Sequence, residues 1–296
     1  MRDQADKLRQ LVRKTIKEHP RLEPGLPFVV LSGGKPGVGT TTVAIQLIQE
    51  LAHLGKRAVL VDANPQQPDI AKILGIEARG SLADVLDGKR SVVEVLEPIS
   101  DSINLLAGRW TPDAPPEFSQ ETVSRLLDEL RALHTKSDIA ILDTGSGMSP
   151  WTAQLWRDAH QVLLVTTDDS TAVMDSYATV KLSPHDQIDD KLRLVVNQCD
   201  DQEIAEQMGS RFASTCQQFL NLNVGQPTAI ASNTAADAPG RVRRRTHRLR
   251  NAFELSVRLL AADLLSSCLV LSKAAQSTHV DFSQKMFKTT NKTQTV

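Results

Sequence analysis

One lysine, four glycines and three consecutive threonines crowd into ten positions, Gly33-Gly34-Lys35-Pro36-Gly37-Val38-Gly39-Thr40-Thr41-Thr42. Glycine lets backbone N–H groups approach an anion closely, lysine brings a positive charge, and a threonine hydroxyl can ligate a hard cation. The chemistry those residue types serve is phosphate binding. An apolar run, Phe28 to Leu31, precedes the segment, and Val43-Ala44-Ile45 follow it with a helical pattern. That order puts the turn at a helix N-terminus, where the dipole favours negative charge. An inert Gly-rich turn is the bland alternative, and the strand-to-helix placement argues against it. The phosphate-loop pattern GxxxxGK[ST], begun at Gly34, finds Gly39 and Thr41 but has Thr40 where lysine belongs. Threonine has neither the charge nor the reach to hold β- and γ-phosphates.

A second chemical signal is Asp143, which closes the apolar run Ile139-Ala140-Ile141-Leu142 and precedes Thr144-Gly145-Ser146-Gly147. An acid at the C-terminal end of a strand beside such a loop can hold Mg²⁺ through water. An Asp that merely caps a turn is the alternative. The histidines, among them His53, His134 and His160, have no ligand spacing and read as packing or surface residues, as do Trp110, Trp151 and Trp156. Cys199, Cys216 and Cys268 form no CxxC pair, which argues against zinc or a disulfide framework and for a reducing, cytoplasmic setting.

The elements that must position these groups follow from hydrophobic periodicity. Strand candidates are 28–32, 57–61, 103–106, 138–142, 161–166, 192–196 and 227–230, mostly apolar throughout, as parallel strands covered on both faces require. Helical stretches near 41–54, 119–134, 170–183, 202–221 and 247–266 lie between or after them. The alternation predicts an α/β fold, a doubly wound and mostly parallel sheet flanked by helices. Ahead of it, Ala5, Leu8, Val12 and Ile16 recur at helical steps among charges, so residues 1–19 read as an amphipathic helix and the Pro/Gly-rich 20–27 as a linker. The domain proper is read as 28–272 and the polar 273–296 as a disordered tail. The N-terminus is too polar for a secretory signal, and Arg258 and Asp263 interrupt the greasy stretch 255–271, which reads as a packed helix and not a membrane span. A net charge of −1 sets up no global field toward nucleic acid or membrane.

The Gly-rich loop resembles the deviant P-loop of the MinD/ParA family of ATPases, which carries an extra signature lysine early in the loop. The resemblance puts Lys35 in that role, reaching across a nucleotide-sandwich homodimer to the partner's phosphates. It makes Thr41 the Mg²⁺ ligand, with Gly34, Gly37, Val38, Gly39, Thr40 and Thr42 lining the nucleotide. Val59-Leu60-Val61-Asp62-Ala63-Asn64 is similar to the family's D-x-D segment, whose first Asp sits near Mg²⁺ and whose second orients water; here Asn64 stands second. An amide is a far poorer base than a carboxylate. With Thr40 and Asn64 both substituted, ATP/ADP and Mg²⁺ are the implied ligands, and slow or absent hydrolysis is the expectation. Asp143 matches the family's Walker B acid, holding metal through water, and Asn197 falls where the family contacts adenine.

Within the family, "DTGSGMSP" at 143–150 is close to the "DTGAGISP" of FlhG-type members, and 162–178 resembles "VVTTPEPTAITDAYA" except for Asp168-Asp169 in place of Pro-Glu. Asp3, Gln4, Ala5, Leu8 and Arg9 match the DQAxxLR motif by which FlhG-type proteins activate FlhF, a GTPase of the signal-recognition-particle type. The motif implies that Gln4 enters the partner's active site and positions water, while Leu8 and Arg9 dock on a groove and its acidic rim. A solvated amphipathic helix is the plain alternative.

Arg241, Arg243, Arg244, Arg245 and Arg248 lie in one dense basic run, which suits nucleic acid, anionic lipid or an acidic partner, or simply a solvated helix start. The tail's Phe282, Met286 and Phe287 offer at most weak peripheral contact with the inner face of the membrane. The expected function is therefore an FlhG-like regulator of flagellar placement or number. The alternatives are a working dimeric ATPase that positions the division site, chromosome or another cargo, and a DNA-partitioning protein; DNA is not expected as the main partner.

Overall fold

Parallel strands buried on both faces need apolar side chains at every position, and the runs identified above supply them. The computed structural model describes residues 25–108, 118–199, 201–232 and 252–267, and Leu26–Leu264 form its compact unit. The expectations for residues 3–9, the arginine run at 241–248, Trp110, Cys268 and the 273–296 tail lie outside the described residues.

The strands are β1 (Phe28–Gly33), β2 (Ala58–Asp62), β3 (Glu97–Pro98), β4 (Ile103–Leu106), β5 (Ile139–Ser146), β6 (Gln161–Thr167), β7 (Leu192–Asn197) and β8 (Val224–Ala229). Among the described residues they form one sheet in the order β3-β4-β2-β5-β1-β6-β7-β8, parallel except for the β3–β4 pair. The helices are α1 (Thr40–His53), α2 (Ile70–Leu74), α3 (Leu82–Leu86), α4 (Val92–Val95), α5 (Gln120–Ala132), α6 (Pro150–Asp158), α7 (Ser170–Lys181), α8 (His185–Ile188) and α9 (Gln202–Leu220), with α10 covering 252–267. This is the doubly wound architecture that the alternation predicts.

Successive strand residues point to opposite faces. Phe28, Val30, Val59, Val61, Ala140 and Leu142 join one core with Leu126, Leu127 and Leu130 of α5 and Trp151, Leu155 and Trp156 of α6. The alternate set, Val29, Leu31, Leu60, Ile141 and Leu163, is equally buried and faces the other way, where α1 crosses β2 and β5. β1 lies between β5 and β6, so the loop that follows it emerges where the strand order reverses, the place where such sheets bind ligands.

Three local differences from the sequence reading have plain causes. Leu26, assigned above to the linker, is fully buried and its N–H donates to the Arg131 carbonyl at 3.1 Å, so packing starts before residue 28. β8 starts at Val224 and ends at Ala229, not at 227–230, although Gly225 and Pro227 are poor strand formers. It pairs with β7 on one side, and Pro227 rests on Gly209 of α9 where a Cβ would collide with the ring; proline is tolerated at such a margin. The short helices α3 and α4 escape a periodicity reading, yet each opens on a capping box, Ser81 with Asp84 and Ser91 with Glu94.

Candidate functional site

The glycine-rich segment folds as an open loop between β1 and α1. Gly37 and Gly39 have φ of 85° and 89°, in the left-handed region that glycine occupies without strain. α1 starts at Thr40 with no side-chain cap and no acidic residue in its first turn. Its leading N–H groups have no partners within the helix and the dipole adds positive potential, so the mouth of the loop accepts an anion.

Thr41 Oγ1 donates to Asp143 Oδ2 at 2.5 Å, joining the α1 hydroxyl to the acid at the end of β5 as the Mg²⁺-ligand reading requires. Burial pushes the Asp143 carboxyl up, opposed by the Thr41 hydroxyl and the Gly145 amide. Asp62, fully buried, accepts from the Ile70 amide at 3.0 Å and the Asn64 amide at 3.4 Å. Burial, together with the nearby Asp143, drives it up to about 7 against those two amides. β2 and β5 set Asp62 directly opposite Asp143. Two carboxyls that resist ionisation, side by side with a hydroxyl, form a donor set that a divalent cation would satisfy.

Thr40 is buried, and its hydroxyl turns down toward β1: a Cβ on Gly33 would lie 2.6 Å from Thr40 Oγ1. The position that ought to deliver a lysine to the phosphates instead fills the floor of the loop. Lys35 is drawn aside as well. Its Nζ lies 2.7 Å from Asp169 Oδ2 and 3.0 Å from Thr171 Oγ1 at the start of α7, and the lysine in turn holds the Asp169 carboxyl well below the usual range. Gly34 sits so close to α7 that a Cβ would come within 2.7 Å of the Ser176 backbone.

Asn64 acts as a turn-former. Its Oδ1 accepts from the Gln66 and Gln67 amides at 3.1 and 3.2 Å, its Nδ2 donates to the Gln67 carbonyl at 2.9 Å, and the side chain lies against Gly145. Asn197, buried at the end of β7, donates from Nδ2 to the Val38 carbonyl at 2.8 Å and packs on Gly39, bracing the loop from beneath. Thr42 is exposed. Of the residues singled out above, the structure thus gathers Gly34, Lys35, Val38, Gly39, Thr40, Thr41, Asp62, Asn64, Asp143 and Asn197 around one crevice. Sequence reasoning missed Thr171 and Ser176, and although it noted Asp169 as a departure from Pro-Glu, nothing linear tied it to a lysine 134 positions earlier. It also treated Trp151 and Trp156 as packing alone; their indole N–H groups reach the Ala63 carbonyl and Ser32 Oγ, each at 2.8 Å.

An open loop at a helix N-terminus, beside two strand-end acids in a doubly wound sheet, defines a P-loop nucleotide-binding protein. A family model described as an AAA domain matches residues 28–194. The antiactivator FleN of Pseudomonas aeruginosa is 26% identical over 207 residues, covering 70% of this chain and 74% of its own length. The flagellum site-determining protein YlxH of Helicobacter pylori is 26% identical over 199 residues, 67% of each chain. Among solved structures, a ParA family ATPase from Chlorobium tepidum TLS superposes with a TM-score of 0.62 at 14% identity, over 81% of this chain and 99% of that one. The chain belongs to the AAA-domain family, in its MinD/ParA-type P-loop group.

Proposed function

We propose that this chain is an FlhG-like regulator of flagellar placement or number, which activates an FlhF-type GTPase through its N-terminal DQAxxLR helix and carries a weakened nucleotide site on its MinD/ParA-type body. The observation that carries the reading is the fate of the loop's cations. Thr40 offers no charge, and Lys35 is paired with Asp169. The flagellar name of YlxH, and the regulatory name of the antiactivator FleN, favour this branch over division-site or plasmid members. Stimulating a partner's GTPase requires Gln4 and its helix, whereas a nucleotide-driven cycle requires the loop, so the first can persist while the second decays.

ATP or ADP with Mg²⁺ remains the ligand class. Thr41, with Asp143 acting through water and Asp62 alongside, would hold the metal, which supplies the charge that offsets the phosphates. The loop amides from Gly37 to Thr41 would bind phosphate oxygens, since Pro36 has no N–H and the Gly34 N–H donates to the Val165 carbonyl. Asn64 lacks the negative charge to polarise water and is engaged in its own turn, so hydrolysis is slow or absent. In domain terms, residues 1–19 are the activator, 20–25 a tether, the body from Leu26 up to about 272 the platform and 273–296 a tail. The protein works in the cytoplasm, with any membrane contact weak and peripheral; no described helix is long and apolar enough to cross a membrane.

GTP hydrolysis by the cognate GTPase, measured with a peptide of residues 1–20 and with its Gln4→Ala variant, tests the proposal. Stimulation by the native peptide and none by the variant is expected; no stimulation by the native peptide removes the activator role. The second reading, a working dimeric ATPase, is favoured by the intact Thr41–Asp143 pair. It predicts ATP turnover by the purified chain that disappears in Asp143→Ala.

A further inference from the structure

The ladder between β1 and β5 breaks where the candidate site begins. Leu31 pairs with Asp143, but Gly33 pairs with Ser146, so two steps on β1 match three on β5. The extra residue is a β-bulge occupied by Thr144 and Gly145, the latter at φ 71°. Bulges re-aim side chains and leave backbone groups unpaired, so the acid at this junction needs another tie.

That tie is a line of buried side chains. Trp156 Nε1 donates to Ser32 Oγ at 2.8 Å, Ser32 and Thr144 hydroxyls meet at 2.5 Å, and Thr144 Oγ1 donates to the Leu31 carbonyl at 2.9 Å. The proton order has one solution. Indole N–H is a donor only, and Thr144 commits its proton to Leu31, so Ser32 accepts from Trp156 and donates to Thr144. All three side chains are buried, Trp156 and Ser32 completely. The chain begins on α6 and ends on β1, spanning the bulge from outside. Trp151 anchors the other end of α6 to the Ala63 carbonyl, between Asp62 and Asn64. The backbone closes the circuit, because β5 runs from Asp143 through the bulge and the turn Gly147–Ser149 into Pro150, the first residue of α6.

We propose that Trp156, Ser32 and Thr144 form a positioning relay that spans the bulge and holds Asp143 in register with Thr41, making α6 a mechanical part of the nucleotide site. This deepens the phosphate-site reading and rests on it for its consequence in ligand binding, although the positioning itself is a property of the chain alone. Trp156→Phe keeps most of the ring's bulk and deletes the donor. Ser32→Ala deletes the middle link and leaves the indole N–H and Thr144 each short of a partner.

The experiment uses the full chain, wild type, Trp156→Phe and Ser32→Ala, with two readouts. Residue-resolved amide exchange at Gly145 and Gly147, whose N–H groups donate to Asp143 Oδ1 and the Gly33 carbonyl, should quicken by about tenfold or more in both variants. Amides of β7, three strands over from the bulged strand β5, should keep wild-type rates. The double variant should add little to either single one, as expected for one connected unit. Unchanged exchange at both glycines, or a uniform rise across the sheet, overturns the relay; if Trp156→Phe does not fold, Ser32→Ala decides alone. The second readout is ADP affinity with Mg²⁺ against affinity in EDTA. The wild-type ratio should collapse toward one in the variants while metal-free affinity holds, and a ratio that stays at the wild-type value overturns the link to Asp143. Wild type with no ADP affinity in either buffer refutes the phosphate-site reading instead, and the exchange result still decides the relay.

Discussion

Restoring lysine at position 40 should tighten nucleotide binding by one to two orders of magnitude. Thr40 is the first residue of α1 and is nearly sealed, with its hydroxyl turned toward Gly33 on the loop floor. Lysine there cannot fold under the loop and must lead its stem out through the mouth, where phosphates would lie. The other lysine of the loop offers no competing contact, since Lys35 is already paired with Asp169 at 2.7 Å. A new ammonium–phosphate contact is a charge-assisted hydrogen bond, with a net contribution of about 1.5–3 kcal/mol after desolvation. At 1.4 kcal/mol per decade that is roughly a 10- to 150-fold fall in Kd. The assay is equilibrium titration of purified wild type and Thr40→Lys with a fluorescent ADP analogue in Mg²⁺ at fixed ionic strength, with melting temperatures as a folding control. A well-folded variant whose Kd changes less than threefold would show that the wild-type loop already has a working cation. The weakened-site reading would then be wrong.

The buried charges set three further outcomes. Asp62→Asn should raise stability at pH 8 without Mg²⁺ by about 2 kcal/mol, roughly half of what the rise from 3.8 to about 7 implies, because one acceptor contact is lost. A folded carboxyl raised above its unfolded value destabilises above pH 3.8 and progressively up to 7, so the gain should vanish near pH 4 in denaturant titrations. His160, whose Nδ1 accepts from the Phe28 amide at 3.3 Å, is held down to about 4, first by burial and then by the Arg131 and Lys191 charges. The unfolded chain therefore takes up that proton first as pH falls through 6.5, and the associated loss should reach about 2 kcal/mol by pH 4, less than the full shift implies because the ring keeps some solvent contact; His160→Gln should lack it. Arg258→Ala should lower the melting temperature more than Arg258→Ala combined with Glu50→Gln, because the single change strands a buried carboxylate that Arg258 Nε now meets at 2.7 Å. Equal melting temperatures would mean that Glu50 finds solvent.

The outline of the fold was legible because parallel strands in a doubly wound sheet need nearly unbroken apolar runs, and Val59-Leu60-Val61 or Val162-Leu163-Leu164-Val165 leave little choice. The loop was legible through glycine, lysine and threonine spacing, and Thr41 and Asp143 meet as that spacing implies. Long-range pairing escaped. Lys35 with Asp169, Trp156 with Ser32 and Asn197 with Val38 are separated by 134, 124 and 159 positions. Nothing local to either partner announces such contacts. Asn64 read as a lost base because only its identity is visible in the chain; its service as a turn-former emerges from the amides of Gln66 and Gln67 around it. α6 escaped because nine residues give too few periods, although Ser149 followed by Pro150 is a recognisable helix start.

The Glu50–Arg258 contact also bears on how far the chain can be cut back. The family match stops at 194, inside β7, and among the described residues the sheet ends at Ala229, so a fragment cut just beyond Ala229 looks self-sufficient on paper. Yet α10 supplies the cation that Glu50 meets near the end of α1, and its Phe253, Val257, Leu260 and Leu264 are sealed from water. Removing it would expose greasy surface on its neighbours and leave the buried Glu50 carboxylate without its arginine, with Gln46 and His53 as remaining contacts, on the same helix whose other end lies at the nucleotide crevice. Expression fragments trimmed to the matched region should therefore aggregate or bind ligand poorly for reasons unrelated to Thr40, and only chains that retain α10 can fairly report on the loop.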